Sequence, residues 1–137
     1  MPILNWNAAI ILDQTQAVVT ARMAQVVSEM AADAKKSVSR PNPGGRDPSL
    51  PGEPPKRVTG NLEEHIGFEV ASDPRLVRGR FGVRDRKAVP YAMRLEFGFV
   101  GIDSRGRHYN QAPRPFLRPA FLRLKARALQ ILRGGAL

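Results

Sequence analysis

From about Ala8 to Val38 the chain runs without a glycine or proline, and its apolar positions recur at a helical period. Ile11, Val19, Met23, Val26, Met30 and Ala34 fall mostly at steps of three and four, which places them on one face of a helix. Asn7 suits the N-cap, and Lys35 and Lys36 stand at the far end, where the helix dipole favours cations. The pairs Val18–Val19 and Val26–Val27 lower helix propensity only slightly. A helix over 8–38 would be ~45 Å long at 1.5 Å per residue. A domain of this size rarely buries such a rod in full, so part of it is expected to rest on a neighbouring chain.

The pattern breaks at 41–58. Pro41, Pro43, Pro48, Pro51, Pro54 and Pro55, with Gly44, Gly45 and Gly52, exclude regular helix and central strand. The segment reads as extended and partly polyproline-like, either a surface loop or an arm that orders against a partner. Over 59–112 the period shortens. "TGNLEEHI" predicts a helical turn capped by Thr59 or Asn61, with Glu63 and Glu64 in its first turn. "GFEVAS" and "LVRGRFGVR" alternate about the turn signal "SDPR" and predict an antiparallel hairpin. Setting Glu69 opposite Arg78 puts Phe68, Val70, Val77, Gly79 and Phe81 on one face, with Gly79 making room for the Phe68 ring.

"VPYAMRLEFGF" fits two elements. Tyr91, Met93, Leu95, Phe97 and Phe99 alternate as in a strand, whereas Pro90 at a first helical position and Gly98 as a C-terminal cap fit a short helix. "VGIDSRGRHYNQ" predicts a hairpin or projecting loop with its tip at Ser104–Gly106. A final amphipathic helix spans 116–133, with Pro119 in its first turn, Leu117, Phe121, Leu124, Ala128 and Ile131 as its apolar stripe, and Gly134–Gly135 as its stop. The whole, 1–137, is one α+β domain: a long N-terminal helix and a C-terminal helix packed on a small antiparallel β-sheet, with an extended Pro-rich loop.

Composition adds one unusual feature. In 137 residues, 42% hydrophobic and 25% charged are ordinary values, but the net charge of +10 predicts attraction to something acidic, be it DNA, a membrane face or a protein surface. Cysteine is absent, which rules out disulfides and thiolate chemistry. No apolar run reaches the roughly 18–20 residues of a membrane span. "MPILNWNAAIILDQ" lacks the basic start and small-residue cleavage site of a signal peptide, so use without export is expected.

Chemistry finds little support. His65 and His108 stand far apart without a ligand cluster, so no metal is expected. Asp13, Glu29 and Asp33 read as solvated carboxylates on the polar face of the long helix. No phosphate-binding glycine loop or nucleophile elbow occurs, and neither a cofactor nor a catalytic set is expected. The basic surface is the stronger candidate: Arg78, Arg80 and Arg84 along one strand face, and Arg123, Lys125 and Arg127 among the cations around the last helix. These positions would face an acidic partner or DNA. Phe68, Phe81, Phe97, Phe116 and Phe121 are better placed for a core than for base stacking, and Trp6 for anchoring the helix start. Backbone electrostatics without base readout is therefore the expected extent of any DNA contact.

Taken together, "PGEPPKRVTGNLEEHI", "VPYAMRLEFG" and "RPFLRPAF" resemble the neck or tail-completion family of long-tailed bacteriophages. The resemblance runs from about Pro51 to Leu132. The matching positions are Thr59, Gly60, Leu62 and Ile66; Tyr91, Ala92, Glu96, Phe97 and Gly98; and Pro115, Phe116, Leu117, Pro119 and Ala120. Val58 stands where the family usually has an aspartate, and the Gly101–Gln111 insertion is longer than in its simplest form.

The resemblance implies a ring-forming virion protein without enzyme activity. A hexamer would sit in the neck, between head-closure or connector ring proteins and the tail-terminator or tail-tube protein. It would surround the channel DNA crosses and be assembled in the host bacterial cytoplasm, away from any membrane. It further implies that Gly60 and Gly98 permit tight reversals, that Leu62, Ile66, Tyr91, Phe116 and Leu117 are core, and that Pro119 sets a helix start. Glu96, a carboxylate among apolar neighbours, then needs an arginine or backbone N–H groups, since an unpaired buried charge costs several kcal/mol. Pro41–Arg57 and Gly101–Gln111 are expected to contact adjacent subunits or the next ring. A tail terminator or tail-assembly factor, and a small basic nucleic-acid-binding protein, are the alternatives.

Overall fold

The computed structural model describes residues 8–42, 49–57 and 60–134, with the side chains of 8–14 excepted. The Asn7 cap, Trp6, the middle of the Pro-rich segment, Val58, Thr59 and Gly135 lie outside the described residues, as do the side chains of Ile11 and Asp13. In chain order come α1 (Ala8–Ser37), α2 (Asn61–His65), β1 (Ile66–Ser72), β2 (Val77–Val83), α3 (Ala92–Phe97), β3 (Phe99–Ile102), β4 (His108–Gln111) and α4 (Leu117–Leu132). The class is α+β, as the pattern predicts. The strands form two separate antiparallel pairs, β1–β2 and β3–β4, rather than one sheet.

Burial along α1 begins at Val26 among its described side chains and continues through Val27, Met30, Ala31, Ala34 and Val38 at helical steps. α4 lies antiparallel along this half. Its start, with Ala120, meets Ala31, Ala34 and Val38, while Ala128 and Ile131 meet Val26, Val27 and Met30. The other half of α1 carries the β1–β2 hairpin as far as Ser72, whose Oγ lies 2.7 Å from Gln16 Nε2 and 3.0 Å from Thr20 Oγ1. The helix continues about 12 Å N-terminal to Gln16.

The hairpin pairs Phe68 with Phe81, Glu69 with Arg80 and Val70 with Gly79, two residues away from the register the sequence predicts. The cause is Asp73. Its Oδ1 accepts the N–H groups of Arg75 (2.8 Å) and Leu76 (2.9 Å), which holds Asp73–Leu76 together as a four-residue turn. The two faces stay as predicted, because the shift is even. Gly79, however, makes room for α1 and not for Phe68. A Cβ there would stand 2.7 Å from Met23 Cγ and Sδ and from Val27 Cγ1.

The main core joins α1, α2, α3 and the start of α4 around Phe116, Ile66 and Val89, with Leu62 and Ala92 beside them. Four residues expected inside are not: Phe68, Tyr91, Phe97 and Phe121 are exposed, Phe97 to 77%. Residues 92–97 are helix, not strand. That turns Ala92 inward, half-buries Leu95 and Glu96, and leaves Phe97 projecting from the last position. On α4 the inward row is Ala120, Leu124, Ala128 and Ile131, with Phe121 about 100° around the helix from Ala120.

The described part of the Pro-rich segment does not stand off as an arm. Gly52 N–H donates to Pro113 O (2.9 Å), Arg114 Nε to Ser49 O (3.1 Å), and Arg57 N–H to Arg40 O (2.7 Å). Residues 49–57 are therefore laid against their own chain.

Candidate interaction surfaces

The three segments that carry the family resemblance meet at one joint. Asn61 Nδ2 on α2 donates to Ala88 O (2.9 Å), tying the first segment to the approach to α3. At the end of α3, Gly98 takes φ 76°, and a Cβ there would press within 2.8 Å of Gln111 O. Only glycine tolerates both constraints. The chain then makes the β3–β4 hairpin and returns so closely that Arg114 N–H donates to Leu95 O (2.6 Å).

Glu96 closes the joint. Its Oε2 accepts the N–H groups of Phe116 (2.8 Å) and Leu117 (3.0 Å), and its Oε1 accepts that of Arg118 (2.9 Å). A helix leaves its first four N–H groups without intrahelical partners. In α4 three of them belong to Phe116, Leu117 and Arg118, and the fourth position is Pro119, which has none. One carboxylate from α3 thus satisfies the whole N-terminus of α4 and sits where the helix dipole favours negative charge. The need for a Glu96 partner was readable in the sequence; the backbone N–H groups are that partner.

Most of the remaining described motif residues are structural in the same sense, Tyr91 and Phe97 being exposed. Gly60 (φ 83°) is the N-cap of α2 without any side-chain cap. Leu62, Ala92, Phe116 and Ala120 are buried, while Leu117, Pro115 and Pro119 are half-buried.

Beside the joint an open cleft of about 680 Å³ lies between the base of β1–β2 and α3. Phe81, Val89 and Leu117 line its inner part, and the exposed Phe68, Met93 and Phe97 its mouth. Gly67 and Gly82 face each other in the register, and the Arg84 side chain lies across Gly67. Arg80, Arg84 and Arg86 add positive charge to the lining.

The basic positions divide into two kinds. Arg123 donates through Nε (2.9 Å) and Nη2 (2.6 Å) to Asp33 Oδ2, and Arg127 through the same two nitrogens to the two oxygens of Glu29, both at 2.9 Å. For these two arginines the acidic partner is α1 of the same chain, and Glu29 and Asp33 are not the solvated carboxylates the sequence suggests. The Arg127 hydrogen bonds hold the Glu29 carboxyl below its ordinary range and raise the guanidinium in turn. Arg80 meets Glu69 loosely at 3.8 Å. Arg78, Arg84 and Lys125 are exposed and have no ion pair among the described residues.

The β3–β4 hairpin is the second projecting surface. Phe99 and Tyr109 pack tilted at 6.0 Å, with the Arg94 guanidinium 4.0 Å above the Phe99 ring. Asp103 organises the tip, where Oδ1 accepts the N–H groups of Arg105 and Arg107 and Oδ2 accepts Arg107 Nε–H. These bonds, that of the Arg107 N–H foremost, lower the Asp103 pKa. The opposite face presents Val100 and Ile102 to solvent, beside Asn110 and His108.

Among the described residues no group of three or more His, Asp or Glu is placed to hold a metal, and no helix is long and apolar enough to cross a membrane. Compared with family models, with characterised proteins and with solved structures, the chain has no match.

Proposed function

We propose that this protein is a structural component of a bacteriophage neck, one repeated subunit of a ring that joins a DNA-filled head to a tail and surrounds the DNA channel. It acts by shape and transforms no substrate. The observation that carries this reading is the joint. The residues behind the family resemblance are spent on holding α3, the hairpin base and α4 in one fixed arrangement, through Glu96 and the Phe116 core. Among the described ones, Glu96 is turned to the α4 backbone and Tyr91 and Phe97 are exposed. What the joint holds outward is apolar: Phe68, Met93 and Phe97 at the cleft, Val100 and Ile102 on the hairpin, and Leu122 and Leu129 on α4. The exposed apolar residues gathered at the mouth of the cleft suit a subunit of an assembly. In this reading these faces meet the other subunits of a hexamer, the head-closure ring and the tail-terminator or tail-tube protein.

The test is an infection lacking the protein, imaged by electron microscopy. Full heads lying beside complete, unattached tails are expected, and normal virions would overturn the reading. The purified chain is expected to form rings in the absence of DNA. A protein that stays monomeric at high concentration and is missing from intact particles would also overturn it.

A further inference from the structure

We infer that the cleft between the β1–β2 hairpin and α3 is a docking site for an acidic, apolar segment of a different protein. The cleft combines three features that a peptide uses together. Phe68, Met93 and Phe97 offer an exposed apolar mouth over the buried Val89 and half-buried Phe81. At the opposed Gly67 and Gly82 the sheet carries no side chain of its own and the Arg84 side chain lies over it, so that an approaching main chain meets a guanidinium. Arg84 and Arg86 stand on the rim without an acidic partner among the described residues.

Charge decides the occupant. The cleft also contains Glu69 and Glu96, but Glu96 is committed to the N-terminus of α4, and Glu69 faces Arg80 across a loose 3.8 Å pair. The two remaining arginines call for carboxylates from outside. A second copy of this chain has few to give. Glu29, Asp33, Glu53, Glu63 and Asp103 already hold arginines, and Asp73 and Asp85 hold backbone N–H groups. Among the carboxylates whose side chains are described, Glu64 is the one left over. The projecting β3–β4 hairpin, with Arg105 and Arg107 at its tip, would bring like charge to the rim.

A nucleic acid fits less well than a peptide. Its phosphates need a track of cations along a groove, whereas here the free cations sit together and Glu69 lies in the lining. A chain alternating Leu or Phe with Asp or Glu meets the apolar mouth and the arginine rim at once. The inference concerns the partner's chemistry and does not rest on the neck reading, which ring formation and particle imaging judge separately.

The test is a selection of random displayed 12-residue peptides on the immobilised full chain, repeated on R84E/R86E. Both arginines are exposed, and an unchanged melting temperature checks that the variant folds. Enrichment of peptides with two or more Asp or Glu next to Phe, Leu or Met is expected on the parent. Binding of those peptides to R84E/R86E should fall at least about tenfold, and the variant should select Lys- or Arg-bearing peptides instead. Met93→Ser should weaken the same peptides with charge unchanged. Selected peptides without acidic bias, or peptides bound equally by both proteins, would overturn the inference. So would an oligo-dT strand that binds more tightly than the peptides and is lost in R84E/R86E, which would assign the cleft to nucleic acid. Self-association of the parent abolished by the same variant would assign it to a second copy.

Discussion

Replacing Glu96 by alanine removes all three hydrogen bonds at the start of α4 while leaving the apolar neighbours of Phe116 in place. The loss has two parts. An N-cap acceptor is worth about 1 kcal/mol and up to about 2 when the donors are poorly reached by water, and Phe116, which owns one of those donors, is fully buried. The charge against the helix dipole adds about 0.3–1 kcal/mol. Together these predict a cost of about 1.3–3 kcal/mol, or roughly 4–12 °C in melting temperature for a chain of this length. Glu96→Gln should cost about half as much, because its carbonyl can still take Phe116 and Leu117 while its amide turns a donor towards Arg118 N–H. Urea unfolding followed by circular dichroism measures both. Hydrogen exchange supplies a local readout: the amides of Phe116, Leu117 and Arg118 should exchange faster in Glu96→Ala, with those in the middle of α1 little changed beyond the global loss. A Glu96→Ala protein within about 0.5 kcal/mol of its parent, below the ordinary worth of a cap, would refute the account of the joint.

Gly79→Ala should cost about 1–3 kcal/mol, because the new methyl meets Met23 and Val27 at 2.7 Å; a neutral result in urea unfolding would mean that α1 lies farther from β2 than described. A double-mutant cycle on Glu29 and Arg127 should give a small favourable coupling, modest because both side chains are partly exposed. Since folding lowers the Glu29 pKa, this contribution is full above its unfolded value and is lost as pH falls through the folded value. Stability of Glu29→Gln should therefore decline less steeply on acidification than that of the parent, and parallel acid curves would count against the pair. Phe97→Ser, at a position 77% exposed, should leave monomer unfolding within about 0.5 kcal/mol yet weaken self-association or partner binding in sedimentation; unchanged assembly would remove Phe97 from any interface.

Much of the architecture is legible in the sequence where periodicity is sustained. The uninterrupted run from Ala8 and the stripe ending at Ile131 predict both long helices to within a residue or two. Short segments are harder, because six residues such as Ala92–Phe97 satisfy both periods, and tertiary contacts decide. Here the decision comes from Glu96, which reaches α4 as part of a helix. The hairpin register depended on a carboxylate that closes a four-residue turn, a local bond that alternation does not encode. The α1–α4 ion pairs were in principle readable: Glu29 and Asp33 are four apart, as are Arg123 and Arg127, and antiparallel helices match such pairs in reverse order. What was lacking was the knowledge that these two helices touch. The exposed aromatics are hard to place from sequence for a different reason. A hydrophobic residue reads as core by default, and a face reserved for another molecule has the same composition as one reserved for the chain itself.

The closure of the joint from both sides has a bearing on how such a chain can diverge. Because Leu95 is bonded to Arg114 and Glu96 to Phe116, everything between Gly98 and Pro113 leaves and re-enters the body at one fixed doorway. An ornament hung there can grow, shrink or be exchanged at a small entropic cost that rises only slowly with its length. Lineages carrying this body could therefore be fitted to new neighbours by swapping a single appendage while the frame stays as it is.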